Sequence, residues 1–416
     1  MINYNKLYEN YIDKQLLELE KKGSQFSKQW LIDIKKELLI RNFNSNFNDT
    51  LDNIALEICD ETINFINTGT ISGLSVGIFL PEINYKLNLY GGYQDYSFTN
   101  KISETTTFDI ASITKLFTLL LTFKLEELGL LDLNKKVSKI NPEYKLEDFT
   151  FNDLIKMLGL IQTPTRIDTC DNIKANQILK KIKITDHNKK QNTYTDMGLI
   201  ILSKTIEKII NKHFYKPITF DQIMERYLLK PLGLNNTTFY PLTNVAGNGR
   251  KDTLPHDAKA RILGPIGSAG LFSTSNDLSN LFYKLYHSNY LNNNHLEKLF
   301  KKTIKHNSLG YAGINLKHKQ GISKSFAPKE YSKQVYAHQG WTGSVIINDP
   351  LNQIHNNFLI SSIKEGEKNK PTLFMRYYNE YQMNIVKKTL ELLIIKKMYN
   401  YYAGFDNKIN KVIHLD

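Results

Sequence analysis

Three short stretches of the chain combine residue types that could make or break an acyl bond. The first is Ser112-Ile113-Thr114-Lys115, at the head of an apolar run. Three residues is nearly one helical turn, so hydroxyl and amine share a face and the amine can reach the hydroxyl. A hydroxyl is a poor nucleophile until a base removes its proton. A lysine in a partly desolvated cleft near other donors has a lowered pKa and can act as that base. The backbone N–H of Ser112 lies in the first turn, where helix donors have no intrahelical acceptor, and is available to a developing oxyanion. The same spacing also describes an N-cap serine with a surface lysine one turn on. A second Ser-x-x-Lys, Ser361 to Lys364, ends a strand-like run and enters a charged stretch, so its two side chains need not share a face.

The second stretch is Tyr194-Thr195-Asp196, in a loop immediately before a helical pattern. A phenol beside a lysine cation is more easily deprotonated and could relay protons between nucleophile and leaving group. Tyrosine followed two places later by Asn or Asp recurs at Tyr8, Tyr11, Tyr93, Tyr290 and Tyr377, so position carries this reading, and a packed aromatic with a satisfied hydroxyl fits the pattern too. The third stretch is His338-Gln339-Gly340-Trp341-Thr342-Gly343, leading into the apolar run Ser344 to Asn348. Glycine there lets a substrate approach the strand, and free N–H groups at Gly340 and Trp341 can complete an oxyanion hole. A histidine capping a turn is the alternative. Lys319-Gln320-Gly321 is a rival Lys-x-Gly, but it lies in a Lys-rich loop with no apolar strand after it.

The elements that must position these residues follow from periodicity. Residues 1–66 read as a helical extension, with apolar residues at three- and four-residue steps over Lys14 to Lys22 and Trp30 to Leu39 and a turn-rich link over Asn42 to Thr50. Leu74 to Leu80 and Tyr85 to Tyr90, separated by Pro81 to Asn84, predict a β-hairpin. A long helix over Ser112 to Leu128 follows, with Gly129 as its C-terminal cap. Residues 131–255 read as a mostly helical region, including Asn152 to Leu160, Asp196 to Ile210 and Phe220 to Leu229. After it come a helix over Ser275 to Tyr286 and strand-like runs at Tyr311 to Lys317, Gln334 to His338, Gly343 to Asn348 and Asn357 to Ser361. A long amphipathic helix, Leu373 to Met398, precedes an unassigned tail, 401–416. The fold expected is therefore α+β: a sheet domain from 67–130 and 256–400, with the helical region inserted between its halves.

Composition narrows the function. With 416 residues, 41% hydrophobic and 11% aromatic, the chain can bury a large core and is not a disordered tail. The 54 Lys and Arg against 41 Asp and Glu leave a net charge of +13, which attracts polyanions non-specifically. The lysines are spread along the chain without a basic run interleaved with aromatics, so no nucleic-acid partner is expected. Cys59 and Cys170 lack CxxC spacing and no histidines stand as HExxH, so neither a disulfide framework nor a metal or other cofactor is expected. The first 25 residues show no signal-peptide pattern, and the most apolar window, Leu116 to Leu131, is broken by Lys124, Glu126 and Glu127 and is too short to span a bilayer. A cytoplasmic protein without a membrane anchor is the expectation; the oligomeric state is open.

Taken in order, Ser112-x-x-Lys115, Tyr194-x-Asp196 and His338-x-Gly340 resemble the three motifs of the penicillin-recognising serine hydrolases, in the class C β-lactamase-like branch with its esterases and D-amino-acid peptidases. Separations of 82 residues from Ser112 to Tyr194 and 144 from Tyr194 to His338 support it. Gly267-Ser268-Ala269-Gly270-Leu271-Phe272-Ser273-Thr274 is similar to the branch's glycine-rich loop before a helix. The resemblance spans residues 70–395. It implies an antiparallel sheet flanked by helices, an acyl-enzyme on Ser112, Lys115 and Tyr194 as the proton-transfer pair, oxyanion donors at Ser112 and Trp341, and a small ester or amide as substrate, with no metal. Ser268 lies in a backbone loop and is no nucleophile elbow, because Ile266 stands where G-x-S-x-G needs its first glycine. Two departures matter. Asp196 stands where the family commonly has Asn, which favours a charged Lys115 unless the acid is neutral or turned away. His338 replaces the family's Lys, a change that goes with esterase or peptidase activity. The rim segment Leu158 to Pro164 matches only loosely. A penicillin-binding carboxypeptidase or β-lactamase relative, and an inactive relative that binds an acyl ligand or partner, are the alternatives.

Overall fold

The structure is a computed structural model that describes residues 4–22, 47–186, 192–247, 253–304, 309–316, 331–361, 363 and 372–413. The chain opens with α1 (Tyr4–Lys21) and α2 (Phe47–Asn67). The latter starts inside the expected link, since Asn48, Asp49 and Thr50 suit a helix's first turn as well as a loop. The hairpin follows as β1 (Gly73–Leu80) and β2 (Tyr85–Gly92), turned by Pro81–Ile83 and by Asn84 at φ 50°. Next come β3 (Thr107–Asp109) and α3 (Thr114–Glu127), whose end is marked by Gly129 at φ 69°, as its position predicts.

The middle region holds α4 (Phe151–Ile155), β4 (Leu160–Gln162), α5 (Asn172–Leu179), β5 (Lys183–Asp186), α6 (Met197–Ile210), α7 (Phe220–Met224) and β6 (Val245–Ala246). Helix α4 begins with a Thr150/Asp153 capping box. It stops five residues short of the expected Leu160, because Met157 (φ 53°) and Gly159 (φ 68°) turn the chain through left-handed conformations into β4. The remaining elements are α8 (Ala258–Leu263), β7 (Phe272–Ser273), α9 (Ser275–His287), α10 (Asn293–Lys298), β8 (Asn315–Leu316), β9 (Tyr336–Gln339), β10 (Val345–Asp349), β11 (Ile354–Ile360) and α11 (Thr372–Ile413). The run expected as a strand over Tyr311 to Lys317 is instead a tight turn, Tyr311–Gly313, followed by β8. Helix α11 continues well past Met398 into the stretch expected as a tail. Trp30 to Leu39, Lys317, Lys319-Gln320-Gly321, Ser362 and Lys364 lie outside the described residues.

Six strands form one sheet in the order β2-β1-β11-β10-β9-β8, all neighbours antiparallel. It draws on both ends of the chain because β1 pairs β11, with Val76 opposite Phe358. Both faces of β11 are buried, and its alternation sorts them. Ile354, Phe358 and Ile360 share a core with Ile54, Ile58 and Phe65 of α2 and Ile385 and Leu393 of α11. On the other face, His355 stacks on Phe282 and Asn357 Nδ2 donates to Ser279 Oγ, both partners on α9. A second core joins α3, α6 and the middle region, and α3 lies inside it with eleven of its fourteen residues buried. At about 1.5–3 kcal/mol per fully buried large apolar side chain, that helix is anchored on every side, so the residues at its N-terminus are held firmly.

Candidate active site

Strand β3 delivers the chain to Ser112. After Asp109 the backbone turns through Ala111 at φ 44°, a left-handed conformation that costs a β-carbon residue about 1–2 kcal/mol, and makes a single 3-10 turn, Ala111–Ile113, before α3 begins. The expected helix start at Ser112 is thus a tighter turn, and two contacts hold it. Asp109 Oδ1 accepts from the Ala111 N–H at 2.8 Å, and Ile113 N–H donates to Ile110 O at 3.0 Å. Asp109 is buried, and its other carboxylate oxygen accepts from His256 N–H at 2.6 Å, so one carboxylate ties the Ser112 turn to the segment that leads into α8.

Lys115 has no exposed surface, and its amine joins the first two motifs and the Ser268 loop. Nζ lies 2.8 Å from Ser112 Oγ, 2.8 Å from Asp196 Oδ1 and 2.9 Å from the Ser268 carbonyl oxygen. The ring centroid of Tyr194 lies 5.0 Å from the same amine. Burial pushes the Lys115 pKa down, but Tyr194 and Asp196 more than reverse this and hold it above the ordinary lysine value. The lowered pKa expected of a lysine in a desolvated cleft is therefore not found, whereas the charged Lys115 expected beside an aspartate is, because Asp196 is neither neutral nor turned away. Burial pushes the Asp196 carboxyl up, and Lys115 with Lys259 more than offsets that and holds it below the usual range.

Position, as the sequence required, distinguishes Tyr194 from the other tyrosines of the same pattern. Its ring lies against Gly313, where a β-carbon would run into it and where φ is +79°. Asp196 stands at the N-cap position of α6 without bonding the helix through its side chain, and Leu199 in that helix's first turn presents its carbonyl to Gly267, whose absent β-carbon would come within 2.6 Å. Thr118 of α3 donates to Gly267 O at 2.9 Å. The loop read as a backbone loop is therefore the junction at which α3 and α6 meet, and Ser268 contributes its carbonyl to Lys115.

The third motif forms the opposite wall. Thr342 Oγ1 donates to Asp109 O at 2.8 Å, and a β-carbon at Gly340 would fall 2.7 Å from Ile110 O, so glycine alone permits this approach to the Ser112 turn. Gly340 is corrected as an oxyanion donor: its N–H is spent on Ser344 O at 2.7 Å, closing the turn between β9 and β10. Trp341 stands 76% exposed at the mouth. His338 is buried with Nε2 3.2 Å from Ala312 O and Nδ1 3.1 Å from Gln339 O. Burial and the Lys115 charge lower its pKa to about 4, so at neutral pH the ring is uncharged and donates to one of these carbonyls only. Among the described residues it makes no hydrogen bond to Ser112, Lys115 or Tyr194.

The second Ser-x-x-Lys serine, Ser361, has a structural use, donating to Gly73 O at 2.7 Å. Sequence reasoning missed Asp109, Asp257, Lys259 and Gly313. Lys259 Nζ lies 3.1 Å from Asp196 Oδ2 and 2.9 Å from Asp257 Oδ2. The signal for it was indirect: an acid in place of Asn beside Lys115 calls for a second cation, but nothing local picks Lys259 from so many lysines.

The family described as Beta-lactamase matches residues 74–366, a span that contains all three motifs and most of the chain. The chain belongs to the Beta-lactamase family. Among its curated relatives, the N-acetylmuramyl-L-alanine amidase of Bacillus subtilis (strain 168) is 26% identical over 302 residues, 60% of this chain and 66% of that one. A protein of Salmonella gallinarum named "Putative D-alanyl-D-alanine carboxypeptidase" is 25% identical over 307 residues, 61% of this chain and 69% of that one. The chain thus spans about two thirds of the length of these relatives. Two solved structures share the fold: EstCE1, a hydrolase with promiscuous acyltransferase activity (TM-score 0.63, 17% identity, 79% of this chain and 99% of that one), and a class C β-lactamase mutant (TM-score 0.61, 16% identity, 78% and 97%). The α+β, antiparallel architecture of the Beta-lactamase family is therefore this protein's own. Among the described residues, no helix is long and apolar enough to cross a membrane.

Proposed function

We infer that the protein is a serine hydrolase that cleaves an ester or amide through an acyl-enzyme on Ser112. The observation that carries this reading is the buried Lys115 amine, placed 2.8 Å from the Ser112 hydroxyl and 5.0 Å from the ring centroid of Tyr194. Ser112 Oγ attacks the acyl carbon and its proton passes to the Lys115–Tyr194 pair, which acts as one coupled unit after losing a single proton. The carbonyl oxygen, now negative, faces the N–H groups of Ser112 and Trp341. The pair returns the proton to the leaving group as the tetrahedral centre collapses, and a water repeats the sequence in reverse to free Ser112. Because Asp196 holds Lys115 charged, activity rises with pH as the pair loses that proton.

The test is hydrolysis of a short p-nitrophenyl ester, with intact-protein mass spectrometry. Wild type turns over and gains the mass of one acyl group, and Ser112→Ala does neither. Equal rates for the two proteins would leave a ligand-binding relative as the reading. The amidase and carboxypeptidase names of the curated relatives favour a second reading, a penicillin-binding carboxypeptidase relative acting on a D-amino-acyl amide. Lasting Ser112-dependent labelling by a fluorescent penicillin supports it, and ester turnover without label supports the esterase reading.

A further inference from the structure

An aspartate beside the lysine that must lose a proton is an electrostatic handicap, and the structure surrounds it with an answer. Asp196 faces Lys115 with Oδ1 and Lys259 with Oδ2, at 2.8 and 3.1 Å. Lys259 is held from its far side by Asp257, whose Oδ2 is 2.9 Å away and whose Oδ1 accepts from the Ala260 N–H at 3.0 Å, capping α8. The carboxyl of Asp168 also feels the Lys259 charge, and is itself paired with Arg166 at 2.6 Å. The segment before α8 is pinned twice: Arg261 Nη1 donates to Pro255 O and His256 O at 2.8 and 2.6 Å, and His256 N–H donates to Asp109. The contacts close into a ring that runs Ser112, Lys115, Asp196, Lys259, Asp257, His256, Asp109 and back through Ala111. The segment that leads to Lys259 is therefore held by the same Asp109 carboxylate that holds the Ser112 turn.

We propose that Lys259, fixed by Asp257, is a positioning residue that neutralises the outer oxygen of Asp196, so that this aspartate orients Lys115 and holds its proton less tightly than a carboxylate without that second cation would. The groups that face Lys115 are Ser112, Tyr194, Asp196, the Ser268 carbonyl and the uncharged His338; those that face Lys259 are Asp196, Asp257 and Asp168. Of these, Asp196 is shared, and Lys259 is the cation bound to its outer oxygen. Without Lys259 the whole carboxylate charge falls on Lys115. The proposal rests on the acyl-enzyme reading for its consequence in rate, but its content is the charge state of Lys115.

The experiment is the pH profile of kcat/KM for a p-nitrophenyl ester in wild type, Lys259→Met, Lys259→Arg, Asp196→Asn and the Lys259→Met/Asp196→Asn double variant, with thermal unfolding as a fold control. Lys259→Met moves the rising limb up by about one pH unit, which reads as a roughly tenfold lower kcat/KM at each pH along it. Lys259→Arg keeps the limb at its wild-type pH, and the double variant, lacking the carboxylate, returns it to or below that pH. A limb that stays in place in Lys259→Met, whatever happens to the maximal rate, overturns the proposal. Titration of Lys115 by NMR with 13C-labelled lysine separates this from failure of the hydrolase reading. A Lys115 midpoint that rises in Lys259→Met upholds the proposal even if no Ser112-dependent turnover is found, and an unmoved midpoint overturns it even if turnover is normal.

Discussion

At the scale of single residues the site is governed by one buried amine. Lys115 is far from solvent, and a lone buried ammonium would lose its charge; it keeps it because Tyr194 and Asp196 lie against it. Its contacts to Ser112, Asp196 and the Ser268 carbonyl leave no room for a casual role. Lys115→Ala is expected to lower kcat/KM for an activated ester by about a hundredfold or more, the usual scale for a positioned base. Normal turnover in that variant, measured alongside Ser112→Ala, would remove Lys115 from the mechanism. The reach of Lys115 to Ser112 was legible in sequence from the spacing, and the charge on Lys115 was foreseeable once Asp196 was seen in an Asn position. The identity of the compensating cation was not legible, since Lys259 lies 63 residues beyond Asp196 and forms its ion pair with it only when the fold brings the start of α8 to the N-cap of α6.

Among the elements, glycines set how close the walls come. Gly340 lets β9 and the turn after it touch the Ile110 carbonyl, and an added β-carbon would meet backbone that cannot swing aside. Gly340→Ala is therefore expected to push the Trp341 N–H away from the Ser112 turn and lower kcat/KM at least about tenfold, on the scale of weakening one oxyanion donor. Gly129→Ala is the contrast. That glycine ends α3 at φ +69° with nothing within 4 Å of a would-be β-carbon, so the change costs about 1 kcal/mol of stability and leaves kcat/KM as it was. Urea unfolding and ester kinetics on both variants check the pair. The hairpin, α3, α6, α9 and the strands β9 to β11 were all legible from period and punctuation. The end of α4 was not, because its stop lies in the left-handed conformation of Met157, a residue type that gives no warning of it.

For the molecule as a whole, the sheet is covered on both sides, which forces titratable groups into its interior. His355 of β11 lies against Phe282 and Tyr286, with Nδ1 3.1 Å from Asn348 Oδ1, and burial followed by the nearby His287 lowers its pKa to about 3. A folded-state pKa below the unfolded value means that unfolding takes up a proton. The stability this histidine contributes is complete above about pH 6.5 and is lost as pH falls towards 3, at up to about 1.4 kcal/mol per pH unit. Buried Asp277 and Asp349, whose carboxyls are raised by burial, act in the opposite sense, so the test is a difference. The gap in unfolding free energy between wild type and His355→Phe should shift in favour of the variant as pH drops from 6.5 to 4; a constant gap would show that His355 takes up its proton as readily in the folded protein as in the unfolded chain. From sequence alone came the α+β class, the serine with its lysine one turn on, and the order of three motifs, because each is written in local spacing. Only the tertiary structure decided that α2 and α11 share one core on the same face of the sheet, that the Gly340 amide is spent within its own turn, and that Lys259 answers Asp196. Those depend on contacts between stretches far apart in the chain, and no local period or residue type encodes which of them will meet.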